Sequence, residues 1–168
     1  MRLWLLDADI LIDFLAIDVL DKLVRLHEVY AATTVIDEVK HFKRGGEKFR
    51  IAFRKEYIEP GLIQEVSATT AETSSLLNKL PRNSHFALHT GEKESMAILL
   101  REDALIFCTC DAATIRTLPF LDLAERGISA EELLKQSGLL KSSLLERHTE
   151  TYFKTNLAIG KEQKIYML

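Results

Sequence analysis

The sequence predicts an α/β fold, a three-layer α/β/α sandwich with a central, mainly parallel sheet and additional C-terminal helices. Two short apolar runs without alternation, LWLL at 3–6 and ALIFCT at 104–109, read as strands buried on both faces. Between and around them lie segments whose apolar residues recur at three- and four-residue spacing, the pattern of strands joined by helices. The length of 168 residues, 47% apolar and 28% charged, suits one domain with a substantial core. A net charge of −3 excludes a generally basic coat while leaving a local basic face open.

Residues 2–6 form the first strand, followed by a short helix at 9–15 and a second at 17–27. EVYAA at 28–32 is a strand. TTVIDEVKHF then begins a helix, with Thr34 and Asp37 at capping-box spacing. Lys40 to Lys55, KHFKRGGEKFRIAFRK, carries seven Lys or Arg against one Glu and is interrupted by Gly45-Gly46. Two readings stand for it: a solvated amphipathic helix with Phe42, Phe49, Ile51 and Phe53 inward, or a phosphate-binding face. A strand follows at 61–67, a helix at 69–80 and a loop at PRNSHF. Thr90 caps a helix from 91 to 102. Asp111 to Leu118 starts a helix, Ser129 and Glu132 open another at 130–137, and the last helix covers 143–158. GKEQKIYML is a polar tail with an apolar end. The domain division is 1–120 for the sheet domain and 121–168 for an all-helical extension packed on it.

Cys108 and Cys110 read as free, buried thiols, which suits a reducing compartment. MRLWLLDAD meets acid too early for a signal peptide, and no apolar run approaches the ~20 residues of a membrane helix. The expectation is a soluble cytoplasmic protein without membrane association.

The informative residues are acids at strand ends. Asp7 follows LWLL and Asp111 follows ALIFCT. In a parallel α/β sheet the carboxyl ends of the strands share one edge, where ligands bind. Glu38, Glu92 and Glu94 lie in helices that can reach the same edge. Converging carboxylates repel one another unless a cation neutralises them, and all-oxygen donors select hard ions such as Mg²⁺ or Mn²⁺. Metal-assisted phosphodiester hydrolysis is the chemistry that uses such a site. Structural roles compete at each position. Asp9, Asp37 and Asp111 are also good helix caps, Asp13 reads as a surface helix residue, and Glu92 and Glu94 suit a helix N-terminus. The five histidines show no metal-ligand spacing and read mostly as surface residues, His41 and His89 lying near the acidic motifs.

In order, LLDADILIDF, TTVIDEVK, HTGEKESMAILLRE and IFCTCDAATIR resemble the PIN-domain nuclease family, in its toxin-like ribonuclease branch, over residues 2 to about 118. The resemblance implies a PIN-like sandwich and a Mg²⁺- or Mn²⁺-dependent endoribonuclease. It also implies RNA as substrate, a toxin role with an antitoxin protein as partner, and a homodimer. It assigns Asp7, Glu38, Glu94 and Asp111 as catalytic metal ligands. Glu92 is the alternative to Glu94, and Asp9 either a cap or a helper of a metal-bound water. Lys40, Lys43, Arg44 and Arg116 are the candidate substrate-binding cations. Two other functions compete: a non-catalytic RNA- or partner-binding PIN-like protein, and a haloacid-dehalogenase-like phosphatase, which Asp7-x-Asp9 alone resembles.

Overall fold

The computed structural model describes residues 3–167. Arg2, assigned from the sequence to the first strand, and Leu168, in the apolar end of the tail, lie outside the described residues. β1 (Leu3–Leu6) buries Trp4, Leu5 and Leu6 completely, as a strand covered on both faces must. Helices α1 (Ala8–Ala16) and α2 (Leu20–Leu26) lead to β2 (Glu28–Ala32). α3 (Thr33–Glu38) is followed by a hairpin of β3 (His41–Arg44) and β4 (Glu47–Arg50), and then by a π-helical turn, Arg54–Ile58. β5 (Gln64–Val66), α4 (Thr70–Asn78), α5 (Arg82–Ala87) and α6 (Thr90–Arg101) precede β6 (Ile106–Cys108). α7 (Ala112–Thr117), β7 (Gly127–Ile128), α8 (Ala130–Gln136) and α9 (Glu150–Tyr166) complete the chain.

Five strands form one parallel sheet in the order β5-β2-β1-β6-β7, flanked by helices and compatible with a three-layer arrangement. The chain steps outward from β1 to β2 to β5, then returns across β1 to β6 and β7. The order therefore reverses between β1 and β6, and such a reversal opens a crevice at the carboxyl ends of those two strands. Their register, Leu6 opposite Cys108, continues one residue further through Asp7 N–H to Cys108 O at 3.1 Å.

Several elements differ from expectation. The basic stretch is not a helix. Gly45 and Gly46, at φ +59° and +79°, make the two-residue turn that right-twisted hairpins require, and Phe42 stacks on Phe49 across it. PRNSHF contains the short helix α5 rather than only a loop. The last helix begins at Glu150 and runs through the expected tail to Tyr166. The region after residue 120 is not all-helical, since Gly127–Ile128 pairs with β6; two residues are too few to show a strand period. The Thr34–Asp37 box does not form, because α3 starts at Thr33. Asp37 instead pairs with Arg54 at 2.9 Å, and Arg54 also grips Glu65 on edge strand β5.

Two contacts fix the elements beside the crevice. Arg126 donates to the carbonyls of Leu99, Glu102 and Leu105, putting a cation on the C-terminus of α6 where the helix dipole favours it. Gly160 lets α9 lie directly on the backbone of α7, since a Cβ there would overlap the Arg116 carbonyl. Among the described residues, no helix is long and apolar enough to cross a membrane.

Candidate active site

Asp7 stands at the end of β1 and enters α1 with extended backbone. It is only 4% exposed. Its Oδ1 accepts from Ala8 N–H at 2.8 Å and its Oδ2 from Thr109 Oγ1 at 2.9 Å. Burial raises its pKa to about 6; those two hydrogen bonds oppose the rise, and the charges of Asp9 and Asp111 add to it. Thr109 Oγ1 in turn accepts from Asp111 N–H at 3.2 Å, so one hydroxyl ties the ends of β1 and β6 together.

Glu92 enters the crevice from the first turn of α6. Its Oε2 accepts from His89 N–H at 2.7 Å, the reciprocal half of a helix cap. Burial raises its pKa to about 8, against the His89 bond, and Asp111, Asp7 and Asp9 push it further. Glu38, the last residue of α3, sits at the open rim. Partial desolvation raises its pKa, His89 counters that, and Asp9 adds to it. Gly91 makes this approach possible, because a Cβ at that position would lie 3.0 Å from both Glu38 Oε1 and Val35 Cγ2.

Asp7, Ala8, Asp9, Glu38, His89, Thr90 and Glu92 line a cavity of about 400 Å³ at the strand-order reversal. Asp9 projects into it from the exposed side of α1. Asp111 lies alongside, close enough to act on both buried carboxyls. Its Oδ2 caps α7 through Thr114 N–H at 2.8 Å and Thr114 Oγ1 at 2.9 Å, and Oδ1 has no hydrogen bond among the described residues. Four of the lining residues are carboxylates, with His89 and Thr90 beside them, and no salt bridge among the described residues engages the cavity acids. Carboxylates are the ligand type that a hard divalent cation takes, but among the described residues only Asp13, Cys110 and His148 bring three ligand atoms within 4.8 Å of one another.

The structure does not bring every candidate here. Glu94 lies outside the cavity lining, accepting from Thr34 Oγ1 at 3.2 Å between α3 and α6, and Glu92 lines the cavity. Arg44 turns back on α1, donating to Leu15 O at 2.6 Å. Arg116 Nε donates to Asn156 Oδ1 at 2.9 Å on α9. Lys40 and Lys43 are exposed and unpaired with any acid among the described residues. Thr109 and Gly91 carry no chemical signature of their own; a hydroxyl two residues before a strand-end acid is the only sequence trace of the first.

A second cluster joins Asp13, Cys110 and His148, whose ligand atoms lie within 4.8 Å of one another. It corrects two expectations: Asp13 is not a freely solvated surface residue, and His148 is 2% exposed. His148 Nε2 and Arg147 Nη2 both meet Asp13 Oδ2 at 2.7 Å. Burial works to raise the pKa of Asp13, but the bonds from His148 and Arg147 outweigh it and hold it below the usual range. Leu145 N–H donates to His148 Nδ1 at 3.1 Å, leaving Nε2 as the ring donor. With a guanidinium on the carboxylate and both ring nitrogens engaged, the donors are those of a hydrogen-bonded clamp between α1 and the segment before α9. Cys108 and Cys110 are free and buried.

No family model, curated protein or solved structure matches this chain.

Proposed function

We propose that the protein is a Mg²⁺- or Mn²⁺-dependent nuclease of the PIN-like type, acting on RNA. The observation that carries this reading is the convergence of Asp7, Asp9, Glu38 and Glu92 on one cavity, beside Asp111, with no salt bridge to any of the four among the described residues. Two of these carboxyls are buried and held above the ordinary carboxylate range, an arrangement that costs stability unless a cation relieves it. The ordered resemblance of the four acidic motifs supplies RNA as the substrate and a three-layer PIN-like sandwich as the fold, and places the chain with toxin-like ribonucleases.

Asp7 and Glu92 would hold the cation, with Asp111 Oδ1 and Glu38 completing its shell. Bound there, it would lower the pKa of a coordinated water and offset charge developing on the phosphate. Thr109 fixes the Asp7 carboxylate, and the His89 amide fixes Glu92, so both are oriented before substrate arrives. Asp9 faces solvent at the mouth and is placed to accept the proton a water gives up. The phosphatase alternative rests on Asp7-x-Asp9 alone.

The test is Mn²⁺ titration by calorimetry, followed by RNA cleavage, comparing wild type with Asp7→Asn and Glu92→Gln. Binding and metal-stimulated cleavage that both variants lose would support the reading. Absence of any Mg²⁺- or Mn²⁺-stimulated cleavage by the wild-type protein would overturn it.

A further inference from the structure

We infer that the groove between α1 and the β3–β4 ribbon is a binding track for a single nucleic-acid strand, leading it into the acidic cavity. The inference rests on the proposed nuclease reading for what happens at the acids, and on the ribbon's own geometry for the rest. In the antiparallel register His41 opposes Arg50 and Lys43 opposes Lys48. Strand alternation puts all four on one face of the ribbon. Like charges directly opposite one another destabilise a hairpin. No salt bridge among the described residues offsets them. A row of phosphates would.

Lys43 and Lys48 form the cationic wall of a groove of about 410 Å³ that His41 also lines, and Ile12 and Ala16 supply its apolar surface, while the Phe42 ring stacks on Phe49 on the opposite face of the ribbon. Asp13, the one acid lining it, is already held by Arg147 and His148. Paired lysines beside an aliphatic floor suit a strand held through its phosphates.

The groove continues the acidic cavity along both walls. Asp9, Ile12 and Ala16 stand at i, i+3 and i+7 on α1 and share one helix face. Asp9 lines the cavity, while Ile12 and Ala16 line the groove. On the opposite wall Glu38 lines the cavity and His41, three residues later, lines the groove. Asp9 to Ala16 rises about 10 Å along the helix axis, roughly three stacked nucleotides at their 3.4 Å spacing. A strand lying in the groove therefore presents its next phosphodiester to the carboxylates. Arg44 lies on the Phe42 face of the ribbon, 5.2 Å over the Phe42 ring, and donates to Leu15 O beside Asp18.

The experiment is fluorescence anisotropy of a labelled single-stranded 12-mer RNA, a probe length of our choosing, in EDTA. The full-length protein is compared with Lys43→Gln/Lys48→Gln and with Lys22→Gln/Lys79→Gln, a control removing two exposed lysines elsewhere. The ribbon variant should bind roughly tenfold more weakly, and its log–log salt slope should fall by about 1.4, two phosphate contacts at about 0.7 each. The control should match wild type. Unchanged affinity and slope in the ribbon variant would overturn the track even if metal-dependent cleavage is present. Ribbon-dependent binding without any metal-stimulated cleavage would retain the track and overturn the nuclease reading instead.

Discussion

Glu92 and Glu94 stand two residues apart on α6 and point to opposite sides of it. Glu92 Oε2 meets the His89 amide inside the cavity, and Glu94 Oε2 meets Thr34 Oγ1 outside. Two residues turn a helix by about 200°, so only one can serve the site. Glu92→Gln should lower RNA cleavage by on the order of 100-fold or more. Glu94→Gln should leave cleavage within a few-fold of wild type. Steady-state rates at saturating Mn²⁺ distinguish them.

The raised pKa values give a direction for stability. Glu92 titrates near 8 in the folded protein and near 4.5 when unfolded; Asp7 moves the same way, from 3.8 to about 6. The folded state thus holds protons that the unfolded chain has released. Its stabilisation is fully present below the unfolded pKa values and is lost as pH rises to about 8. In EDTA the melting temperature should fall between pH 5 and pH 8. Mn²⁺ should raise it most at pH 8, and Glu92→Gln should flatten the profile. A melting temperature that rises over that interval in EDTA would contradict the assignment.

Gly91 is a test of positioning. Alanine there presses its Cβ toward the Glu38 carboxylate, while improving the helix locally. Gly91→Ala should weaken Mn²⁺ binding roughly tenfold and lower the melting temperature, since the same Cβ also presses on buried Val35. Calorimetry and a melting curve on the same sample separate the two effects.

The clamp on Asp13 should be structural. Asp13→Ala removes charged hydrogen bonds to Arg147 and His148 and leaves a buried imidazole without its acceptor. The loss should be about 2 kcal/mol, readable by urea denaturation, and Mn²⁺ affinity should be unchanged. A fall in Mn²⁺ affinity would move the metal site to this cluster.

The parts legible in the sequence are those set by local pattern. LWLL and the IFC of ALIFCT are strands, and the acids behind them meet at one crevice, because parallel strands must end at the same edge. In the sequence Glu94 is favoured because it precedes the buried run Ser95-Met96-Ala97-Ile98, while the helix phase depends on which residue is the cap. With Thr90 taken as the cap, the phase is ambiguous. With His89 as the cap, Glu92 falls at the third helical position, where a capping glutamate belongs. The hairpin was also written in the chain: HFKR and EKFR flank Gly45-Gly46, a two-residue turn signal, but the density of charge reads equally as a solvated helix. The Asp13–His148 pair and the Arg126 cap could not be read, since each joins distant segments through side chains that have no periodicity.

The hydrogen bond from Thr109 to Asp7 spans 102 positions. Its partners leave the ribosome far apart in time: at about 5–20 residues per second, Thr109 follows Asp7 by roughly 5–20 s. During that interval β1 can find β2 and β5, which come earlier in the chain, but β6 does not yet exist to supply the other side of the crevice. The nascent polypeptide therefore carries its first acids as a half-built edge, open to solvent and without the strand that completes them. Completing the crevice requires closing the longest connection between paired strands of the sheet, from β1 to β6. A chain meant to cut RNA would be made beside its messenger with the cutting site still unformed.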